Sequence, residues 1–258
     1  MPFAQIATRM STIYVMPEAL AQLTPTGPLR AAINFGNPIL AKRDPSTGAL
    51  AGVSVDLAHR LAALLSVTLQ LVLYDAVGEV VAGCERGEWD IAFVARDPVR
   101  GKGIEQTAPY VLIEGAYLVP EDSPIRSNDE VDVAGIRVVV GKGSAYDLFL
   151  TRALRHATIL RATTSPEVVP MMCAQQCEVA AGVRQQLEED AQRLTGLRML
   201  PGRFMVIEQA MGTPKGRPAA ARLLADFVAD MLEAGFVKTT LERHHIAGAT
   251  VAPAGGTE

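Results

Sequence analysis

Arg100 follows a polar turn at the end of an apolar run, Asp90–Val94, which has the composition of a buried strand. Pro109 and Tyr110 end the loop that begins with this turn. An arginine just beyond the carboxyl end of a parallel strand lies where open α/β sheets place their ligand crevice. One guanidinium can bind a carboxylate there through two parallel hydrogen bonds. The position of Arg100 therefore predicts a binding site for a carboxylate.

A second candidate anion site lies in the segment Gly143–Asp147. Ser144 and Asp147 approximate a capping box, which predicts that a helix begins here. The free backbone N–H groups of a first helical turn favour an anion, and Ala145 and Tyr146 carry such groups. Capping of the helix and binding of a ligand are compatible with each other, so both interpretations stand.

Strands and helices alternate twice along the chain, which predicts an α/β fold with two mostly parallel sheets flanked by helices. The first unit comprises, in order, Leu29–Asn34, Val55–Leu65, Thr68–Tyr74, Ala76–Arg86 and Asp90–Val94. The second comprises Ile136–Val140, Ser144–His156, Thr158–Arg161, Ser165–Gln175, Glu178–Ala181 and Val183–Leu194. The sequences of the two units are not alike, so only the architecture is repeated.

The C-terminal third contains a strand and two helices, Phe204–Met211, Arg217–Ala234 and Phe236–His244. We expect this part to pack back on the first unit, so that the chain crosses between two lobes near Tyr117–Pro120 and Met205–Gln209. Two such strands form a hinge. The predicted boundaries are an N-terminal extension at 1–28 with a short helix near Pro17–Leu23, lobe 1 at 29–117 plus 208–258, and lobe 2 at 118–207.

Composition and charge disfavour several classes of protein. The 258 residues carry a formal net charge of −4, and the 24 lysines and arginines form no basic block, which disfavours nucleic-acid binding. No apolar stretch approaches the ~20 residues of a membrane-spanning helix. Cys84, Cys173 and Cys177 form no disulfide framework. A metal pair at Cys173 and Cys177 is conceivable, but buried thiols are the simpler interpretation. We predict no metal and no cofactor.

The segment Met1–Gly27 lacks the charged-then-apolar pattern of a signal peptide. Three explanations stay open: the protein is not exported, its leader has been removed, or the start is misassigned and Met10 is the first residue. A cytoplasmic role is the alternative that follows from the first explanation.

Five motifs, taken in order, resemble the bacterial extracellular solute-binding proteins of family 3, which are the polar amino-acid receptors of ABC importers. They are the strand from Leu29, GALAGVSVDLAHRL from Gly48, WDIAF with DPVR and TAPY from Trp89, GKGSAYDLFL from Gly141, and CEVAAGVRQQL from Cys177. The resemblance implies a two-lobed, type II periplasmic-binding-protein fold whose lobes close on one small molecule. It also implies a periplasmic monomer that delivers an amino acid or a small carboxylate to a membrane ABC permease.

The resemblance assigns roles to several residues. Counted back from Pro109, Arg100 falls on the family's carboxylate-binding arginine. Ser144, Ala145 and Tyr146 fall on the turn that closes on the same carboxylate from the other lobe. The two candidate anion sites of the sequence are therefore expected to face one ligand.

Ala95, Arg96 and Asp97 stand where the family has hydroxyl-bearing residues. Ala95 and Asp97 remain candidate ligand contacts, and Asp97 could alternatively orient Arg100 or cap the short helix behind it. The remaining candidates lie at the end of the first strand: Asn34 and Asn37 for polar contacts, and Phe35 for an apolar wall.

Val183 departs from the family pattern. Counted from Glu178, amino-acid receptors have an aspartate here that pairs with the α-ammonium group of the ligand, and valine cannot do so. An unpaired buried ammonium is costly. Either another acid near the crossings, such as Glu114 or Glu208, holds the amine, or the ligand has no amine.

Arg184 follows Val183 and would suit a second carboxylate beside Arg100, unless it faces water in the first turn of its helix. Gln209, on the return crossing, is a further candidate contact. We expect Arg100→Ala to abolish ligand-induced stabilisation. We also expect acids without an α-ammonium group to compete well with amino acids.

Two other functions remain open. Some relatives of the family are cyclohexadienyl or arogenate dehydratases, which need a carboxylic acid in the cleft as general acid. That acid lies near the position of Val183, which argues against an enzyme and against any catalytic residue here. A ligand-sensing module would need a separate partner chain, because no DNA-binding, kinase or membrane segment is visible in the sequence.

Overall fold

The structure is a computed structural model that describes residues 13–44 and 46–253 of the chain. The question whether Met10 is the first residue concerns a segment outside these described residues. Among them, no helix has both the length and the apolar character needed to cross a lipid bilayer.

The elements follow the alternation predicted from the sequence. The first part of the chain forms α1 (Pro17–Leu23), β1 (Leu29–Asn34), β2 (Lys42–Arg43), β3 (Leu50–Ala51), α2 (Val53–Leu65), β4 (Leu69–Tyr74), α3 (Val77–Glu85), β5 (Ile91–Ala95) and the long strand β6 (Ile104–Pro120). The middle forms β7 (Arg137–Gly141), α4 (Ala145–Ala153), β8 (Thr158–Ala162), α5 (Val168–Ala174), β9 (Val179–Val183) and α6 (Arg184–Arg193). The last part forms β10 (Leu197–Met199), β11 (Met205–Pro214), α7 (Pro218–Glu233), α8 (Phe236–Arg243) and β12 (Ala249–Val251).

The strands form one large sheet with the order β4-β1-β5-β11-β6-β9-β7-β8, and β10 and β12 both pair with β6. Each end of this sheet is parallel, with β1 between β4 and β5 and β7 between β8 and β9. We call the half built on β4-β1-β5 lobe 1 and the half built on β9-β7-β8 lobe 2. The sequence predicts two sheets, and the structure joins them because β6 and β11 pair antiparallel and continue across the middle.

Local sequence explains the elements that carry the site. All five residues of β5 are buried, as in a parallel strand with both faces covered, and the strand is correspondingly a continuous apolar run. Helix α2 buries Leu57, Leu61 and Leu65 at helical spacing against the core of lobe 1. It ends at Ser66, which adopts the left-handed conformation (φ 55°) that stops a helix.

The two long strands pass close to each other where the lobes meet. A Cβ atom at Gly115 of β6 would lie 2.7 Å from the Met205 side chain and 3.1 Å from the Phe204 ring, so only glycine fits. Phe204 also stacks on Tyr117, with ring centres 4.3 Å apart. The predicted crossings lie within β6 and β11, while the exact boundaries of the lobes stay a prediction.

Helix α1, predicted as part of an extension, packs into lobe 1. Leu23 is fully buried, and Arg217 at the start of α7 donates to the Gln22 carbonyl at 2.9 Å. Arg217 also pairs with Asp90, which is itself held by Arg30. This buried network connects α1, β1, β5 and α7, so the described part of the extension stabilises lobe 1.

Candidate functional site

A cavity of about 50 Å³ lies between the two lobes. Its walls include the last residues of three strands, Asn34 of β1, Ala95 of β5 and Val183 of β9. The segments after β7 and β8 contribute Ser144 and Thr163. The carboxyl ends of the strands of both lobes therefore meet at one cavity, which is the position of the ligand crevice in open α/β sheets.

Arg100 is the buried cation of this cavity, with 3% of its surface exposed. Nη1 donates to the Ala95 carbonyl at 3.0 Å, and Nη2 donates to the Gly143 carbonyl of lobe 2 at 2.8 Å. Nε is buried and has no partner among the described residues. Burial lowers the pKa of the guanidinium to about 10, although the nearby Asp97 carboxylate opposes the shift. Arg100 thus stays charged at neutral pH and keeps donors for an anion.

Helix α4 begins at the wall of the cavity that belongs to lobe 2. Ser144 is its N-cap, and its hydroxyl accepts a hydrogen bond from the Asp147 N–H at 3.0 Å. The Asp147 carboxylate accepts from the Gly143 N–H at 2.8 Å, which fixes the loop before the helix. The N–H groups of Ala145 and Tyr146 follow, and the structure gives them no acceptor among the described residues. These two N–H groups can donate hydrogen bonds to an anion that lies opposite Arg100.

Amide side chains add neutral groups to the cavity. The Asn34 and Asn37 carbonyl oxygens accept from backbone N–H groups of their own loop, at 2.9 Å and 3.2 Å, so the two side chains are held in turns. Gln209 of β11 is buried and lines the cavity. Its side chain makes no hydrogen bond with any described residue, so its amide is free to meet a ligand.

Five polar residues of the cavity escaped the sequence analysis as contacts. They are Ser54, Lys142, Thr163, Thr164 and Ser165. The last three directly follow β8, so the rule that strand ends carry ligand groups would have found them. Ser165 accepts from the Tyr146 hydroxyl at 2.8 Å, and burial raises the pKa of that tyrosine. Tyr146 therefore contributes its backbone and ring edge to the site, while its hydroxyl bonds to Ser165.

Two residues predicted as contacts, Phe35 and Asp97, do not line the cavity. The Phe35 ring lies under the Arg43 guanidinium, 4.8 Å from the ring centre. The Asp97 carboxylate pairs with Arg152 of α4 at 2.7 Å, across the boundary between the lobes. It also accepts from the Val99 N–H at 2.8 Å, in keeping with the capping alternative.

Arg184 is the third predicted contact that the structure keeps out of the cavity lining. Its Nε donates to Glu114 at 2.6 Å, and its Nη2 donates to the Gly202 carbonyl. This corrects the expectation of a second guanidinium beside Arg100. The pairing arises because β6 and β9 are neighbours, which brings Glu114 next to the start of α6.

The described part of the chain contains no cluster of side chains that could bind a metal ion. No three His, Cys, Asp or Glu side chains within it are arranged to hold an ion. All three cysteines are free; Cys177 is buried, Cys84 half-buried and Cys173 exposed.

The sequence of the chain matches the family model of bacterial extracellular solute-binding proteins, family 3, over residues 29–246. The chain belongs to this family. A search of curated protein sequences finds no match.

This family 3 protein has the type II periplasmic-binding-protein architecture. Three of the solved structures that share its fold illustrate the similarity. The ancestral amino-acid-binding protein AncCDT-1, a precursor of cyclohexadienyl dehydratase, matches with a TM-score of 0.73 and 19% identity over 87% of this chain and 98% of that chain. A substrate-binding protein of an amino-acid ABC transporter from Streptococcus pneumoniae, bound to L-arginine, matches with a TM-score of 0.73 and 16% identity over 91% and 99%. A histidine kinase sensor domain matches with a TM-score of 0.73 and 17% identity over 87% and 97%. At these identities the matches establish the fold.

The charge of the cavity distinguishes this family 3 protein from the pattern described for amino-acid receptors. The charged residues that line the cavity are Arg100 and Lys142, and none of the described lining residues is Asp or Glu. Val183, 7% exposed, lines it at the end of β9. The lining of the cavity therefore carries positive charge and no carboxylate, and the nearest acid to Arg100, Asp97, pairs with Arg152 outside the lining.

Proposed function

We propose that this chain is the solute-binding component of an ABC-type importer and that it binds a small carboxylate between its lobes. The family supplies the solute-binding role, and the site supplies the ligand chemistry. The solute carboxylate would accept hydrogen bonds from Arg100 on one side and from the Ala145 and Tyr146 N–H groups on the other.

A single observation carries this proposal. The Arg100 guanidinium is buried between the lobes, donates to the Gly143 carbonyl in lobe 2, and keeps an unpartnered buried Nε–H. A buried charge without a full set of partners is costly. A carboxylate in the cavity would supply both the opposite charge and the missing acceptor.

The mechanism follows from this geometry. A ligand enters when the lobes separate about β6 and β11, and it binds first to the groups of one lobe. Closure then adds the groups of the other lobe, so the ligand favours the closed form by the free energy of these added contacts. In the proposed role the closed form docks on a membrane permease. Periplasmic location and a monomeric state belong to the same proposal.

A thermal-shift screen of amino acids, dicarboxylates and small organic acids tests the proposal. A ligand at about 100 times its Kd should raise the free energy of unfolding by about 2.7 kcal/mol. We expect Arg100→Ala to abolish the shift for every positive compound. Arg96→Ala is the matched control, because Arg96 lies in the same loop but pairs with Glu208 at 3.0 Å outside the cavity lining. An unchanged shift in Arg100→Ala would remove Arg100 from the site.

A dehydratase on this scaffold is the second candidate, suggested by the similarity of fold to AncCDT-1. Such chemistry needs a general acid in the cleft, and none of the described lining residues carries a carboxyl group. We therefore propose that the protein is not an enzyme and expect no turnover of prephenate. Measurable turnover that is lost in Arg100→Ala would reverse this order of candidates.

A further inference from the structure

We infer that the ligand of this site is a small organic acid that lacks an α-ammonium group. The inference rests on the proposed function and narrows the class of solute. It depends on three features of the described residues: the side chain at the end of β9, the pairing of the nearby acids, and the charge of the cavity lining.

The side chain of Val183 presents an apolar surface to any ligand in the cavity. It is the last residue of β9, lines the cavity and is 7% exposed. A buried ammonium needs an opposite charge as well as acceptors for its three N–H groups to replace its hydration. Neutral oxygens of Gln209 and Thr163 line the cavity and can accept hydrogen bonds, but they leave the positive charge unbalanced.

The two acidic residues where the chain crosses between the lobes, Glu114 and Glu208, form ion pairs outside the cavity lining. Glu114 pairs with Arg184 at 2.6 Å and with Arg203 at 3.0 Å, and these two partners hold its pKa below the usual range. Glu208 pairs with Arg96 at 3.0 Å. Neither carboxylate lines the cavity, so neither balances an ammonium inside it.

The cationic side chains of the cavity also disfavour a ligand that carries an ammonium group. Arg100 is buried in it, and Lys142, the exposed first residue after β7, also lines it. The described residues provide no ion-pair partner for Lys142. A third positive charge on the ligand would be repelled by both, whereas a carboxylate is attracted by both.

Matched pairs of solutes test the inference by calorimetry and thermal shift. The pairs are glycine with glycolate, alanine with lactate, and alanine with pyruvate, each at equal concentration. We expect at least one ammonium-free acid to bind at least about tenfold more tightly than its amino-acid partner. Amino acids that bind as tightly as their partners would overturn the inference and leave the proposed function intact. The absence of binding by these pairs and by every compound of the wider thermal-shift screen would overturn the proposed function as well.

A gain-of-function variant provides the second test. Val183→Asp places a carboxylate at the end of β9, and Val183→Asn is the control of equal size without the charge. Val183 is the N-cap of α6 with extended backbone (φ −66°, ψ 128°) and no side-chain cap bond. Asp and Asn are both favoured at N-caps, so both variants should fold.

We expect Val183→Asp to weaken binding of the ammonium-free acid by about tenfold or more and to strengthen binding of its amino-acid partner. Val183→Asn should change the ratio of the two affinities much less. An unchanged ratio in Val183→Asp, in a variant whose melting temperature shows it to be folded, would show that the end of β9 does not select the ligand.

Discussion

At the scale of single residues, Arg100 combines two tasks that a lysine could not. Its guanidinium bonds to Ala95 in lobe 1 and to Gly143 in lobe 2, and it retains Nε–H for a ligand. The guanidinium can make these hydrogen bonds in different directions at once because it is a rigid, planar group with five N–H donors. The residue therefore organises the loop after β5 as well as the proposed ligand.

We expect Arg100→Lys to weaken ligand binding roughly tenfold to a hundredfold, although it preserves the charge. Loss of one or two charge-assisted hydrogen bonds accounts for this range. The measurement is the Kd of the strongest acid from the screen, with Arg96→Lys as the control of equal chemistry in the same loop. Equal affinity of Arg100→Lys and the natural protein would mean that charge alone holds the ligand.

Single residues also differ in how well their place in the site could be predicted from the sequence. Arg100, Ser144 and Gln209 reach the cavity because their positions follow from strand ends and helix starts. Phe35, Asp97 and Arg184 also follow strand ends but turn to partners elsewhere, as Arg184 does to Glu114, 70 positions away. Local sequence predicts where strands end and helices begin. It does not predict the hydrogen-bond partner of a long polar side chain, because that partner lies far away in sequence and is close only in the folded protein.

At the scale of elements, the helices and parallel strands were predictable because each contains its own periodicity of apolar residues. The central pairing of β6 and β11 was not, because it joins strands far apart in sequence, such as Ile207 with Ile113, and no local pattern specifies such a pairing. The structure thus shows that the two strands predicted to join the sheets pair with each other and make the sheet continuous. The strands predicted to act as a hinge, β6 and β11, are both part of this sheet.

Asp132 controls the connection between α4 and β8. Its carboxylate accepts hydrogen bonds from the N–H groups of Arg155, His156 and Ala157 at 2.7–3.0 Å. These bonds to Ala157 and His156, with smaller contributions from Arg155 and the His156 charge, lower the pKa of Asp132 to about 2. The carboxylate form is therefore favoured in the folded protein.

Because the folded pKa lies below the usual value of 3.8, the stabilisation by Asp132 is present above about pH 4 and is lost as the pH falls toward 2. We expect Asp132→Asn to lower the melting temperature at pH 7 and to converge with the natural protein near pH 2. Asp129→Asn, at an exposed neighbour, should have little effect at either pH. Melting curves from pH 7 to pH 2 measure this, and parallel curves would contradict it.

At the scale of the whole molecule, two contacts cross the cleft beside the ligand cavity. They are the hydrogen bond from Arg100 to the Gly143 carbonyl and the ion pair between Asp97 and Arg152. Both connect the loop after β5 in lobe 1 with the α4 region in lobe 2. Separation of the lobes would break both contacts, so we expect them to favour closure independently of any ligand.

The ion pair can be tested separately, because Arg152 pairs with Asp97 and does not line the cavity. Its side chain is 45% exposed, so the pair is worth about 0.5–1 kcal/mol, or roughly a twofold to fivefold shift between open and closed forms. Arg152→Glu reverses the charge and places it against Asp97, which should shift the equilibrium further toward the open form.

We expect Arg152→Glu to increase the radius of gyration measured by small-angle X-ray scattering without ligand. High salt should reduce the difference from the natural protein, because screening weakens both the ion pair and its reversed form. Arg155→Glu is the matched control: Arg155 lies just beyond the same helix, and its backbone rather than its side chain is bonded to Asp132. If the two variants scatter alike, the ion pair does not hold the cleft closed, and the bond from Arg100 to Gly143 remains as the contact that does.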